Sequence, residues 1–326
     1  MSSRNKVWFV ALVFIGIAIA QKQIFPFEAP AVSASVAVKP ETLFKIGGFE
    51  ISNTLLTSWL AMIVLVLVAT LATRKLKLVP SGLQNAFEMI IEALLNLAES
   101  VAGARGRKFF PVAATIFLFV LTSNLLGLIP GFGPIGLYAL EEGHQPPKGI
   151  VTFDIPQIFF AEEAEKGATP LLAPFFRSPS TDINFPLALA LISVTLTQIF
   201  GVQALGFFGY VGKFINVGKM GKFFGGLLRG KAKVGDFLYG LLDIFVGLIE
   251  LVSEIGKILS FTFRLFGNVF AGEVVLLIMS FLFLALPLIF YPLELFVGVI
   301  QGFVFCVLTL AFMAIATTPH AGEEQH

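Results

Sequence analysis

SFTFRLFGNVFAGEVVLLIMSFLFLAL, residues 260–286, is apolar enough to lie in a lipid bilayer, yet it carries Arg264. A permanent guanidinium charge inside such a span is unfavourable by roughly 2.5–3.5 kcal/mol on insertion scales, so an intramembrane ionisable residue marks function by default. The stretch points to a membrane chain that moves ions. Composition agrees: 56% of the 326 residues are hydrophobic and only 13% are charged, against about 25% charged in soluble domains. Mean hydropathy is +0.89.

Working outward, the chain divides into apolar spans separated by strongly signed loops. Arg4 and Lys6 precede an apolar run, Val7 to Ala20, that ends in Ala18-Ile19-Ala20. This is the pattern of a secretory signal peptide; the alternative is an uncleaved signal anchor, short at about 21 Å against a hydrocarbon core of about 30 Å. Residues 1–20 are thus read as signal or anchor and 21–54 as an outer segment, with a single membrane domain over 55–326.

Leu55 to Ala72 is the first span. Arg74, Lys75 and Lys77 follow it, and then Leu83 to Val101, where Glu88, Glu92 and Glu99 recur at helical spacing. That piece is expected to be an amphipathic helix at the interface rather than a crossing. Phe109 to Ile129 and Phe185 to Leu205 are further spans. Between them lies a Pro- and Gly-rich loop, 130–182, with an excess of acidic residues. Residues 206–235 hold Lys213, Lys219, Lys222, Arg229, Lys231 and Lys233 and no acidic residue. The positive-inside rule puts 74–108 and 206–235 in the cytoplasm and 130–182 outside.

From Asp236 to Leu286 there is no proline, which predicts a continuous helix of about 75 Å, so it must tilt strongly or bend, at Gly256 or Gly267. Pro287 and Pro292 bracket the turn into a final helix that ends near Thr317. The expected fold is therefore an all-α polytopic membrane protein. It has about five transmembrane helices, an interfacial amphipathic helix and an N-terminal signal-like segment, and the last two helices form a long tilted hairpin.

On that hairpin the polar residues carry the chemistry. Glu250, Lys257 and Arg264 recur every seven residues and line one face, with Ser260 and Asn268 flanking the arginine. Glu273 lies half a rotation away and about 14 Å further toward the outside. Glu294 and Gln301 share a face of the returning helix. Acidic groups on both sides of Arg264, with Glu250 and Glu254 toward the cytoplasm, suggest two half-channels separated by a fixed positive charge.

The motif SFTFRLFGNVFAGE resembles the signature of subunit a of the F-type ATP synthases. So do NTLLTSWL at 53–60, TSNLLGLIPGF at 122–132, STDINFPLALALI at 180–192 and QGFVFCVLTLAF at 301–312. The resemblance implies the membrane stator of a proton-driven rotor, non-catalytic itself, in a bacterial inner membrane with a cytoplasmic C-terminus. Its implied partners are the rotor c-ring, the subunit b stalk, other ATP synthase subunits and the lipid bilayer. It implies no cofactor and no nucleic acid.

By resemblance Arg264 matches the essential arginine that faces the rotor carboxylate. Glu273, Glu294, Gln301 and Asn268 match outer-channel and neighbouring polar positions, Asp182 and Asn184 the outer entrance, and Glu250 the cytoplasmic exit. Many relatives carry a histidine at a position matched by Glu273 or Glu294; this chain has two glutamates. Two carboxyls in one confined site cannot both ionise cheaply, so they are expected to share a proton.

Plainer readings stand beside these. Glu250 could pair with Lys257 or lie in the neighbourhood of Glu254, Gln301 could only bond between helices, and Asp182 could be a solvated loop acid or a helix cap. The three histidines are too scattered for a metal site. Gly131-x-Gly133-x-x-Gly136 follows a span and contains Pro134, and Gly225-x4-Gly230-Lys231 precedes Ala232 where a Ser or Thr is required, so neither supports nucleotide binding. A stand-alone secondary ion transporter is the alternative function, but no repeat relates the halves.

Overall fold

The computed structural model describes residues 39–46, 48–74, 76–129, 136–139, 171–174, 176–214, 234–282 and 286–318. The signal-like segment 1–20, most of the 130–182 and 206–235 loops and the tail after 318 lie outside the described residues.

The chain is an all-α polytopic membrane protein. Among the described residues its helices are α1 (Asn53–Thr73), α2 (Leu83–Ala102), α3 (Gly106–Gly127), α4 (Asn184–Leu205), α5 (Phe207–Phe214), α6 (Val234–Leu282) and α7 (Leu286–Ala316). Among the described residues four stretches are long and apolar enough to cross a bilayer: Asn53–Thr73, Leu83–Gly127, Asn184–Leu205 and Pro287–Ala316. Helix α6 packs along α4 and α7. Its 49 residues are one unbroken helix of about 74 Å, running through both Gly256 and Gly267.

Local sequence explains the ends. Ser52 caps α1, its Oγ accepting from Leu55 N at 3.3 Å. Along α1, Met62, Ile63, Val66, Leu67 and Leu71 stay exposed, as a helix bathed in hydrocarbon requires. Helix α4 stops at Gly206, whose φ of 76° suits only glycine at low cost. The chain then folds back so that Tyr210 lies over Gly201, where any Cβ would strike the ring.

Helix α7 is the centre of the bundle and touches α2, α3, α4 and α6. Contacts between α6 and α7 run in opposite order along the two helices. Lys257 lies over Phe312, Phe261 packs on Phe305, Asn268 bonds Gln301 and Gly272 lies under Glu294, which makes the pair an antiparallel hairpin. One apolar cluster joins α2, α3 and α7 through Ala98, Phe109, Ala113, Cys306, Leu310 and Met313; another joins α3, α4, α6 and α7 through Val120, Ala190, Phe261, Leu265 and Phe305.

In lipid the transfer from water gives no drive between helices, so small residues that allow close packing matter most. The Ser193–Thr309 hydroxyl bond between α4 and α7, at 2.9 Å, contributes on the order of 0.6 kcal/mol. Truncating Phe261, wedged between Phe305 and Phe312, would cost about 3 kcal/mol, so packing outweighs the polar bond.

Several expectations need adjusting. Pro292 lies inside α7 rather than in the turn before it, and Pro287 is in its first turn, where a missing N–H loses no bond. Helix α3 begins at Gly106, so Arg107 and Lys108 are helical. The basic loop opens with a short helix, α5. Among the described residues two antiparallel strand pairs also stand outside the helices. β1 (Thr42–Ile46) joins β2 (Phe49–Ser52) ahead of α1, and β3 (Gly136–Ala139) joins β4 (Leu171–Pro174) to close the base of the long loop.

Candidate functional site

Arg264 lies midway along the part of α6 that packs on α7 and is half-buried. Among the described residues its only hydrogen bond is to Ser260 Oγ, one turn away, at 3.4 Å, and no carboxylate pairs with it. One turn further along, Asn268 Nδ2 donates to Gln301 Oε1 at 2.8 Å across the hairpin. Gln301 is buried, and its own Nε2 has no partner among the described residues. The interhelical bond expected of Gln301 is present, with a donor left over.

At one end of the bundle a cavity of about 170 Å³ opens between α3, α6, α7 and the loop before α4. Glu273 and Glu294 both line it, so the structure brings together the two glutamates that the hairpin pattern placed on opposite helices. Glu294 lies against Gly272, where a Cβ would collide with its carboxylate.

The pair is not alone. Arg177, whose side chain is 5% exposed, reaches Glu273 with Nε at 3.1 and 3.2 Å from the two oxygens and with Nη2 at 3.2 Å. Two parallel donors on one carboxylate make a fork that fixes geometry as well as charge. Glu41, just before β1, lies near enough to feel both. Burial, first, and the negative charge of Glu273 raise its pKa above the usual glutamate value, while the Arg177 charge lowers it.

Polar bonds lock the same end. Ser180 Oγ donates to Asn124 Oδ1 at 2.7 Å, and Asn124 Nδ2 donates to the Gly298 carbonyl at 3.2 Å, tying the loop to α3 and α7. Asp182 is buried rather than solvated. Its Oδ1 accepts from Asn184 N and Nδ2, both at 3.0 Å, and its Oδ2 accepts from Thr54 Oγ1 at 2.9 Å. The carboxylate therefore caps the first turn of α4 and pins it to the start of α1.

At the other end, Glu254 is the hub. Lys257 Nζ donates to its Oε1 at 2.6 Å and Gln198 Nε2 to its Oε2 at 2.8 Å, while the Tyr210 hydroxyl donates to Gln198 Oε1. Lys257 thus pairs with Glu254 three residues back rather than with Glu250, because (i, i+3) side chains meet on one face at closer range. Glu250 adjoins this group. Burial, then the charges of Glu254 and Glu250, push the Tyr210 phenol up to about 12.

Arg177, Asn124, Ser180, Gln198 and Tyr210 were not singled out from the sequence. Asn124 and Ser180 sit inside TSNLLG and STDIN, runs already quoted for their pattern, and Arg177 is a lone basic residue five positions before Asp182. That proximity was the available signal.

Comparison with known proteins follows the same lines. The family described as "ATP synthase A chain" matches residues 55–314. The chain is similar to the ATP synthase subunit a of Moorella thermoacetica, at 29% identity over 281 residues that cover 85% of this chain and 96% of that protein. It is 31% identical to the subunit a of Syntrophobacter fumaroxidans over 279 residues, 85% of this chain and 89% of the relative. The Helicobacter pylori (strain Shi470) protein of that name is 30% identical over 266 residues, 81% and 89% of the two chains. With that match over most of its length, and with a half-buried arginine on its longest described helix and acidic groups at both ends of the bundle, the chain belongs to the ATP synthase A chain family.

Proposed function

We propose that this protein is the stator subunit of the membrane sector of a bacterial ATP synthase, non-catalytic itself, which passes protons to and from the carboxylates of a rotor ring. The observation that carries this reading is Arg264, which has no carboxylate partner among the described residues while acidic groups lie along α6 on both sides of it. Glu254 is about 15 Å away in one direction and Glu273 about 14 Å in the other, at 1.5 Å per residue. On this reading the outer half-channel is entered past Asp182 and Asn184, takes in the cavity lined by Glu273 and Glu294, and runs on past Asn268 and Gln301 toward Arg264. The inner half-channel leaves past Ser260 and the Glu250–Glu254 region.

A protonated, neutral carboxyl on the rotor can travel through hydrocarbon; an ionised one cannot without a large desolvation cost. Arg264 stays charged and favours ionisation of the carboxyl that reaches it, so the proton leaves to one half-channel and the site refills from the other. Its fixed charge also opposes direct passage of a proton between the two. The rotor ring and the subunit b stalk are the partners on this reading, the C-terminus is cytoplasmic, and 1–20 is a signal or anchor ahead of the membrane domain.

The test is Arg264→Ala in the assembled complex reconstituted in vesicles. ATP-driven pumping and proton-driven synthesis are both expected to vanish while the complex still assembles. Arg264→Lys is expected to fail as well, since an ammonium lacks the planar guanidinium. Coupled pumping by the alanine variant would overturn the stator reading and favour a stand-alone transporter.

A further inference from the structure

We propose that Arg177 is a positioning residue of the outer pathway: its fork holds the Glu273 carboxylate at one wall of the cavity and leaves Glu294, on the facing helix, as the carboxyl that hands protons to the rotor. The inference rests on the translocation reading above and divides labour between two glutamates that the sequence presents as equivalent.

The division follows from unequal surroundings. Glu273 receives three short donor contacts from Arg177. Arg177 is itself held, its backbone N–H donating to Thr57 Oγ1 at 3.2 Å, so the fork is fastened to α1 and does not drift. Glu294 has no hydrogen-bond or charged partner among the described residues. Its carboxylate rests over Gly272 and faces the cavity. A carboxylate gripped at both oxygens must break that grip to take a proton, whereas an ungripped one can rotate, protonate and deliver. The proton that Glu294 gains from water in the cavity is the one it passes to an ionised rotor carboxylate, so the exchange balances without another reactant.

The Arg177 side chain is 5% exposed and that of Glu273 38%, so a neutral substitution disturbs a packed position and bears on folding as well as on function. A conservative variant is therefore part of the test. Among the described residues, the charged groups near the pair include Glu41 from the segment before β1 and Glu294 from α7, with Asp182 in the same loop as Arg177. Helix α3 contributes Asn124, which does not titrate.

The experiment uses the whole complex in vesicles and follows ATP-driven pumping and proton-driven synthesis across a pH series for Arg177→Gln, Arg177→Lys and Arg264→Ala. Arg177→Gln is expected to lower synthesis about tenfold, less than the roughly hundredfold or more that a placed proton-transfer group itself contributes, because the residue acts through another. Arg177→Lys, keeping the charge but losing the fork, is expected to lose about threefold and to shift the pH profile. If Arg177→Gln fails to assemble, the lysine variant decides alone. Wild-type flux and an unchanged profile overturn the proposal, and so does a loss of equal factor at every pH, the mark of a merely structural role. If Arg264→Ala pumps normally, the translocation reading itself falls; if it is dead while the Arg177 variants behave as wild type, only the positioning role falls.

Discussion

Glu294 and Glu273 differ in reach as well as in partners: the Glu294 carboxylate rests on a glycine of the facing helix and lines the cavity, into which it has room to turn. Glu294→Gln, nearly isosteric but unable to bind and release a proton, is expected to slow proton delivery from the outside about a hundredfold. Glu294→His is expected to keep more activity than the glutamine variant because it restores a titratable group. Proton flux in vesicles across a pH series measures both; a glutamine variant equal to wild type at every pH would make Glu294 a packing residue. Arg264 was legible in the sequence because one charge in an apolar run needs no partner to be noticed. Arg177 was not, because its meaning lies in a contact with Glu273 across 96 positions, and nothing local encodes such a pairing. Asp182 fell between: its position before a helix suggested a cap, but its burial and its bond to Thr54 depend on where α1 arrives.

At the scale of elements, the α6–α7 hairpin places the outer residues, and one glycine sets its spacing there. Gly272→Ala adds a methyl that displaces only the end of a flexible side chain, so assembly and thermal stability are expected to remain near wild type. Proton flux is expected to fall about tenfold because the Glu294 carboxylate must move aside. Unfolding and flux measured on the same preparation separate the two effects, and unchanged flux would show that Glu294 need not lie over Gly272. The long helix could be anticipated because no proline interrupts it, and the amphipathic α2 because its glutamates keep helical spacing. Pro292 misled because a proline near a helix start sacrifices few bonds, so it marks a boundary only loosely. Helix α5 and the strand pairs are short, and such pieces are fixed by what they pack against: α5 by Gly201 and α6, β2 by the start of α1.

At the scale of the whole molecule, loop charge predicts orientation, and the structure sorts the polar residues into two separate ends. Single cysteines introduced within 206–235 are expected to react with an impermeant reagent only from the cytoplasmic side, and those within 140–170 only from outside. The native Cys306, 1% exposed, does not compete for the label. The reverse pattern would exchange the two half-channels. Hydropathy made the all-α polytopic class legible, since lipid imposes length and apolarity on each crossing. The neighbours each helix chose were not legible, because side-chain shape decides them. The unbroken course of α6 has one more consequence, for heredity rather than for mechanism. Glu254, Arg264 and Glu273 are marks on a single ruler. Inserting or deleting one residue between two of them moves the far mark by about 1.5 Å and swings it through about 100°. Every side chain could be retained while Glu273 left Arg177's reach, so the spacing of this helix is itself an inherited trait, less tolerant of indels than of substitutions.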